Sequence, residues 1–145
     1  MSDTIIITNL VLAFLLGGAI GWFREKERKT AGMRTHILVA LGSALFMTSS
    51  IEMMRLAAGA DPGRLAAGVV TGIGFLGAGA IVQTGSGVRG ITTAASIWIT
   101  AAIGLAAGAG FYSGAITTTI LTITALQLLR AVEVRFIKTK SDLSE

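Results

Sequence analysis

Few residues in this chain of 145 have the chemistry to act on anything. Cysteine is absent and His36 is the single histidine, so a thiolate or His-rich metal site is not available within one chain. Glu52 and Asp61 are two carboxylates that could touch a hard cation such as Mg²⁺, which takes few protein ligands and keeps its waters. A structural reading competes: Asp61 caps a helix, and Glu52 pairs with Arg55 one turn on. No G-x-S-x-G or S-x-x-K motif is present and His36 has no Ser–Asp partner set, so the chain does not read as an enzyme. The letters G-x-G-x-x-G occur at Gly72, Gly74 and Gly77, but inside an apolar run rather than after a strand. Helix packing explains them better than a dinucleotide does, and no cofactor is expected.

Two polar segments remain. Thr92 and Thr93 open an apolar run directly after Gly87-Val88-Arg89-Gly90. A helix N-terminus with hydroxyls and a nearby arginine can receive an anion or a partner's carbonyl; ordinary capping is the alternative. The segment REKERKTAGMRTH at 24–36 alternates in sign over Arg24, Glu25, Lys26, Glu27 and Arg28, as a solvated helical extension would. Basic residues beside lipid also attract anionic headgroups, and docking of another protein is a third reading.

The elements that position these residues follow from composition. Hydrophobic residues make up 52% of the chain and charged residues 14%, against roughly 25% charged in a soluble domain. Mean hydropathy is +0.75. A soluble enzyme, a disulfide scaffold and a disordered tail are excluded. The net charge of +4 fits positive cytoplasmic loops rather than nucleic acid, because the charges cluster between runs long enough to cross a bilayer.

The first run, Thr4 to Phe23, spans about 30 Å as a helix, one hydrocarbon thickness. Asp3 before it and a basic cluster after it argue against a signal peptide. The second run starts at Ile37 and is expected to continue as helix to Ala58. Asp61-Pro62-Gly63 reads as a restart, with Asp61 as N-cap and Pro62 at the first helical position. The third run is Leu65 to Val82, and Gln83 to Gly90 is expected to be a polar loop. The fourth is Ile91 to about Gly108 and the fifth Ala115 to Leu129. The threonines of that last run (Thr117, Thr118, Thr119, Thr122, Thr124) could line a polar path, but bonding the carbonyl one turn back is favoured. The expected fold is all-α, a five-helix transmembrane bundle over residues 1–130 with a short basic tail at 131–145. With the N-terminus outside and the C-terminus inside, ten of the twelve basic residues are cytoplasmic; only Arg55 and Arg64 are not.

Glycine adds a packing signal: there are nineteen, against about ten at average usage. Gly17/Gly21, Gly68/Gly72 and Gly104/Gly108 stand four apart, the spacing that lets helix backbones approach closely in lipid. The third and fourth runs are so poor in large side chains that both are expected inside the bundle. The first, with Leu10, Phe14 and Leu15, is expected to face lipid on one side. A chain with few helices to cover its small-residue faces suggests self-association, most simply as a dimer, with Gly17 and Gly21 at the contact. At the inner end, Arg24, Arg34, Arg89, Thr92 and Thr93 are expected to form one electropositive patch. That patch would hold Glu25 or Glu27, or receive a partner's acidic group or a lipid headgroup. Its arginines would matter by bidentate contact, so even Arg89→Lys is expected to impair function.

Read together, AGMRTHILVALG at 31–42, DPGRLAAGVVTGIGFLGAGAI at 61–81 and VRGITTAASIWITAAIGLAAG at 88–108 closely resemble the transmembrane domain of the MgtC/SapB family, with similarity from about Gly17 to Gly114. The resemblance implies a bacterial inner-membrane, multi-pass protein linked to growth in low magnesium and to virulence. It implies an accessory or regulatory role through contact with other membrane complexes, with a small oligomeric ion transporter or channel as the alternative. The chain departs from the family pattern at three positions. Phe23 stands where Glu is usual, Gly68 where Gln is usual, and Thr92 where virulence-associated members can have Asn. Two polar groups that could have formed an intramembrane site are thus missing. A short tail is expected in place of the soluble C-terminal domain that many members carry.

Overall fold

The computed structural model describes residues 1–56, 61–85 and 87–132, the side chains of 129–132 excepted. Five helices follow one another: α1 Asp3–Lys26, α2 Met33–Leu56, α3 Pro62–Gly79, α4 Ile91–Gly108 and α5 Tyr112–Val132. Three of them, α1, α2 and α4, are long and apolar enough to cross a membrane. The expected polar loop between α3 and α4 is instead an antiparallel hairpin, β1 Val82–Thr84 and β2 Gly87–Arg89, with Val82 opposite Arg89. Its strands are only three residues long and exposed throughout, so neither leaves an apolar alternation in the sequence.

Helix boundaries obey local chemistry. Asp61 caps α3 by accepting the Gly63 N–H at 2.8 Å, and Pro62 opens the helix. At the end of α1, Arg28 N–H bonds Glu25 C=O at 2.9 Å and Lys29 N–H bonds Arg24 C=O at 3.0 Å. That is a Schellman ending with Arg28 in the left-handed position, φ 54°, where glycine is usual. Glu25 turns to the next helix and accepts the Met33 N–H at 2.8 Å. A carboxylate there suits the positive start of α2. Thr119 and Thr124 donate to the carbonyls of Ala115 and Ile120 at 2.8 Å, so these two hydroxyls of the fifth run are satisfied within their own helix.

Helix α4 is the axis of the molecule. It touches each of the other four helices, and nine of its residues are buried, as its small-residue composition led us to expect. Close approach is what the glycines provide. A Cβ on Gly104 would land on the Ala40 carbonyl oxygen and 2.8 Å from Ser43 Cβ, and one on Gly108 would be 2.9 Å from Ala44 Cα. On α1, a Cβ on Gly17 would be 2.7 Å from the His36 carbonyl oxygen and 2.8 Å from Ala40 Cβ; on Gly21 it would be 3.1 Å from the Gly32 carbonyl oxygen. The interior is correspondingly small: Ala13, Ile20, Ala40, Ala44, Ile103, Ala107 and Ala115.

These contacts correct two expectations. Gly17 and Gly21 are not a surface for a second copy. They seat α2, the next helix along the chain, because a short connection lets two small-residue faces meet locally. Helix α3 is not interior either. Only Ile73 and Gly77 of it are buried, and Gly68 and Gly72 have nothing within 4 Å of where a Cβ would stand. Small residues here lie open beside an apolar groove of about 500 Å³ between α2 and α3, walled by Leu38, Phe46, Leu65 and Leu76. The outer faces carry large apolar side chains, among them Phe14, Leu15, Leu38, Phe75 and Leu121.

One polar cluster ties four helices at the end opposite the hairpin. Asn9 is fully buried on α1; its amide donates to the Gly108 carbonyl at 3.0 Å, and its oxygen accepts the Tyr112 hydroxyl at 2.7 Å. Thr48 donates to the same carbonyl at 3.3 Å. A carbonyl in the last turn of α4 has no partner within its helix, and in an apolar surrounding an unmet one is costly. At the same end Glu52 accepts from the chain's amino group and lies 3.7 Å from Arg55. Glu52 and Asp61 thus serve the ion-pair and cap roles weighed above.

Candidate functional site

The antiparallel run of α1, α2, α3 and α4 brings the end of α1, the start of α2, the hairpin and the start of α4 to one end of the bundle. There a cleft of about 780 Å³ opens between α1, α4 and α5. Its floor is Arg24, 2% exposed, whose guanidinium donates to the Thr93 hydroxyl at 2.8 Å. Thr93 is itself buried; Thr92 is exposed at the rim. Arg28, Lys29 and Glu27 line the same space, and Leu126 of α5 forms part of the far wall. Glu27 also accepts from Gln127 at 2.9 Å, which ties α5 to the end of α1.

The start of α4 is shaped by Gly90. Its φ is +91°, and a Cβ there would fall on the Ala80 carbonyl. Only glycine fits, and the N-cap contributes no side-chain bond. Directly behind, His36 is fully buried between two helices. Its Nδ1 lies 2.8 Å from the Gly32 carbonyl, an acceptor only, so Nδ1 carries the proton. Its Nε2 is 3.1 Å from Ser96 Oγ, which is also 2.8 Å from the Thr93 carbonyl. A continuous polar path therefore runs His36–Ser96–Thr93–Arg24 from α2 through α4 to α1.

Of the five residues expected to form one patch, the structure unites Arg24, Thr92 and Thr93. Arg34 is exposed on α2 and Arg89 is exposed on β2, neither lining the cleft. Glu25 serves the start of α2 instead. Alternating charges made 24–28 read as uniformly solvated, yet Arg24 faces inward. It is one helical turn beyond Gly21 and Ile20, both buried, and that 3.6-residue spacing was the available signal. His36 and Ser96 went unrecognised because they are distant in sequence. Asn9 and Tyr112 were missed for the same reason.

Residues 10–135 match the MgtC family. The chain is 44% identical over 134 residues to the YhiD protein of Escherichia coli (strain K12), whose name offers magnesium transport provisionally; the match covers 89% of this chain and 62% of that protein. It is 46% identical over 124 residues to Protein MgtC of Salmonella typhimurium (strain LT2), covering 86% of this chain and 52% of that one. To Protein MgtC of Brucella abortus (strain 2308) it is 47% identical over 118 residues, 81% and 48% of the respective chains. The chain thus spans about half to three-fifths of the length of these relatives. No solved structure matches. A match over most of the chain, on a helical architecture built by the glycines and caps described above, places this membrane protein in the MgtC family.

Proposed function

We propose that this chain is a non-enzymatic accessory protein of the bacterial inner membrane, tied to growth at low magnesium, acting through contact with a larger membrane complex. The closed middle of the bundle is the observation that carries this reading. Gly17, Gly104 and Gly108 bring α1, α2 and α4 to backbone contact, and the buried side chains between them are small or apolar: Ala13, Ala40, Ala44, Ile103 and Ala107, with Ser43 and with Thr100, whose hydroxyl donates to the Ser96 carbonyl of its own helix. A hydrated divalent cation needs oxygen ligands or a wet path, and among the described residues no three His, Asp or Glu gather. The cleft at the hairpin end gathers Arg24, Arg28, Lys29 and Glu27 in one opening, where a partner can dock. The name of the Escherichia coli relative favours a second reading, transport, and the two separate cleanly. In sealed vesicles holding only this protein, Mg²⁺ flux should equal that of empty vesicles. Flux above that background, abolished by heat, would establish the transport reading.

In this proposal the hairpin end faces the cytoplasm and Ser2 faces outward, as the Lys/Arg distribution requires. Cysteine introduced at Ser2 should react with an impermeant thiol reagent in intact cells. Cysteine at Gly85, at the hairpin tip, should react only after the cells are opened. Reversed labelling would invert the topology. Self-association belongs to α3 rather than α1, since Gly68 and Gly72 are the pair left open. The virulence link and the dimer are parts of this proposal. The tail expected at 131–145 lies, from 133 on, outside the described residues.

A further inference from the structure

We infer that the cleft between α1, α4 and α5 binds a phosphate group, presented by an anionic phospholipid of the inner leaflet. The inference rests on the membrane orientation proposed above and not on the accessory role.

Charge comes first. Three cations, Arg24, Arg28 and Lys29, line the cleft against one carboxylate, Glu27. Arg24 is held on the floor by burial and by its bond to Thr93, so its positive field is fixed rather than swept about by a mobile side chain. Arginine is suited to the oxygens of phosphate, and lysine binds them as a point charge. Hydroxyls of Thr30 and Thr92 add neutral donors. The start of α4, which Gly90 leaves without a side-chain cap, contributes the positive end of its dipole.

Size and wall decide the source. About 780 Å³ lies within the roughly 300–1,000 Å³ of small-ligand clefts and exceeds what a bare phosphate fills. The rim beside the cations is apolar: Val88 and Ile91 are 54% and 59% exposed, and Leu126 lies opposite. A free phosphate gains nothing from such a rim. A phospholipid places its phosphate on the cations and the start of its chains against Val88, Ile91 and Leu126. The cleft also stands at the end of α1 and the start of α4, the depth at which headgroups lie. Two basic residues elsewhere at this end, Arg34 and Arg89, are exposed and outside the cleft. They provide a control of equal charge.

The test uses the full chain reconstituted in phosphatidylcholine vesicles with a minor share of phosphatidylglycerol. The chain is extracted in mild detergent, and retained lipid is read by native mass spectrometry. Wild type should retain phosphatidylglycerol over phosphatidylcholine. Arg28→Gln with Lys29→Gln, both exposed positions, should cut that retention by roughly ten-fold. Arg34→Gln with Arg89→Gln should leave it within about two-fold. Inorganic phosphate, compared with chloride at equal ionic strength, should not displace the lipid; displacement would assign the same site to free phosphate. Absence of lipid preference in the wild type, or equal loss in the two double variants, overturns the site and assigns the cations to diffuse surface attraction. Growth is not read in this test, so its failure leaves the accessory role standing.

Discussion

Gly104→Leu should prevent recovery of folded protein, whereas Gly68→Leu should leave the melting temperature in mild detergent close to that of wild type. Both glycines sit in the same G-x-x-x-G spacing, so the sequence ranks them equally. The structure does not. At Gly104 even a methyl group would meet the Ala40 carbonyl and Ser43 Cβ, and backbone cannot swing aside as a side-chain end can. Overpacking of this kind costs about 1–3 kcal/mol for modest insertions, and leucine adds three more carbons on the helix that holds all the others. At Gly68 a side chain enters open space. Gly68→Ala should even gain a few tenths of a kcal/mol up to ~1 from helix propensity. A Gly104→Ala variant that melts with wild type would show that α2 and α4 are not at backbone contact. Gly68→Leu carries a second readout. It should weaken self-association without unfolding the protomer, and an unchanged oligomeric mass would remove α3 from the dimer.

Arg24→Ala should abolish complementation of a deletion strain at low Mg²⁺, with Arg34→Ala and Arg89→Ala retaining most of it. This order reverses the weight that the sequence put on Arg89. Arg24 is buried and joined to Thr93, while Arg89 ends an exposed strand. Because a buried arginine also supports the fold, protein level and melting must be followed. Thr93→Val serves as the second probe: it removes the hydroxyl that accepts from Arg24 and keeps the shape. Arg24→Lys should fall between the two, since lysine keeps the charge and loses the planar fork. Full complementation by folded Arg24→Ala would remove the cleft from function.

Much of the architecture was legible because apolar runs and their breaks are local. Asp61-Pro62 marks a helix start whatever surrounds it, and α4's lack of bulk predicts burial correctly. Partnership is different. A small-residue face says that something comes close, not what. Gly17 and Gly21 find α2, Gly104 and Gly108 find α2 as well, and Gly68 and Gly72 have no neighbour within 4 Å of a built Cβ among the described residues. Composition alone therefore misplaced α3. The same limit hid the polar path of His36, Ser96, Thr93 and Arg24 and the cluster around Asn9, whose bonds between helices join residues 60 to 103 apart. Strands of three residues, Val82–Thr84 and Gly87–Arg89, are too short for period-two alternation to register.

The central place of α4 sets an order of assembly. Chains emerge from the ribosome N-terminus first. Helices α1 and α2 can pair through Gly17 and Gly21 once both have entered the bilayer, before α4 joins them. Helix α3 cannot be fixed then, because it buries just Ile73 and Gly77 and shares its contacts with a helix not yet synthesised. Until residues 91–108 arrive, Gly108's carbonyl, which Asn9 and Thr48 are built to meet, does not exist, and both side chains wait unpaired in the growing bundle. Arrival of α4 closes α1, α2 and α3 in one event, and α5 follows against it. Completion of the bundle thus waits on the fourth helix, and a chain truncated before residue 91 is expected to leave Asn9 and Thr48 without the carbonyl they meet.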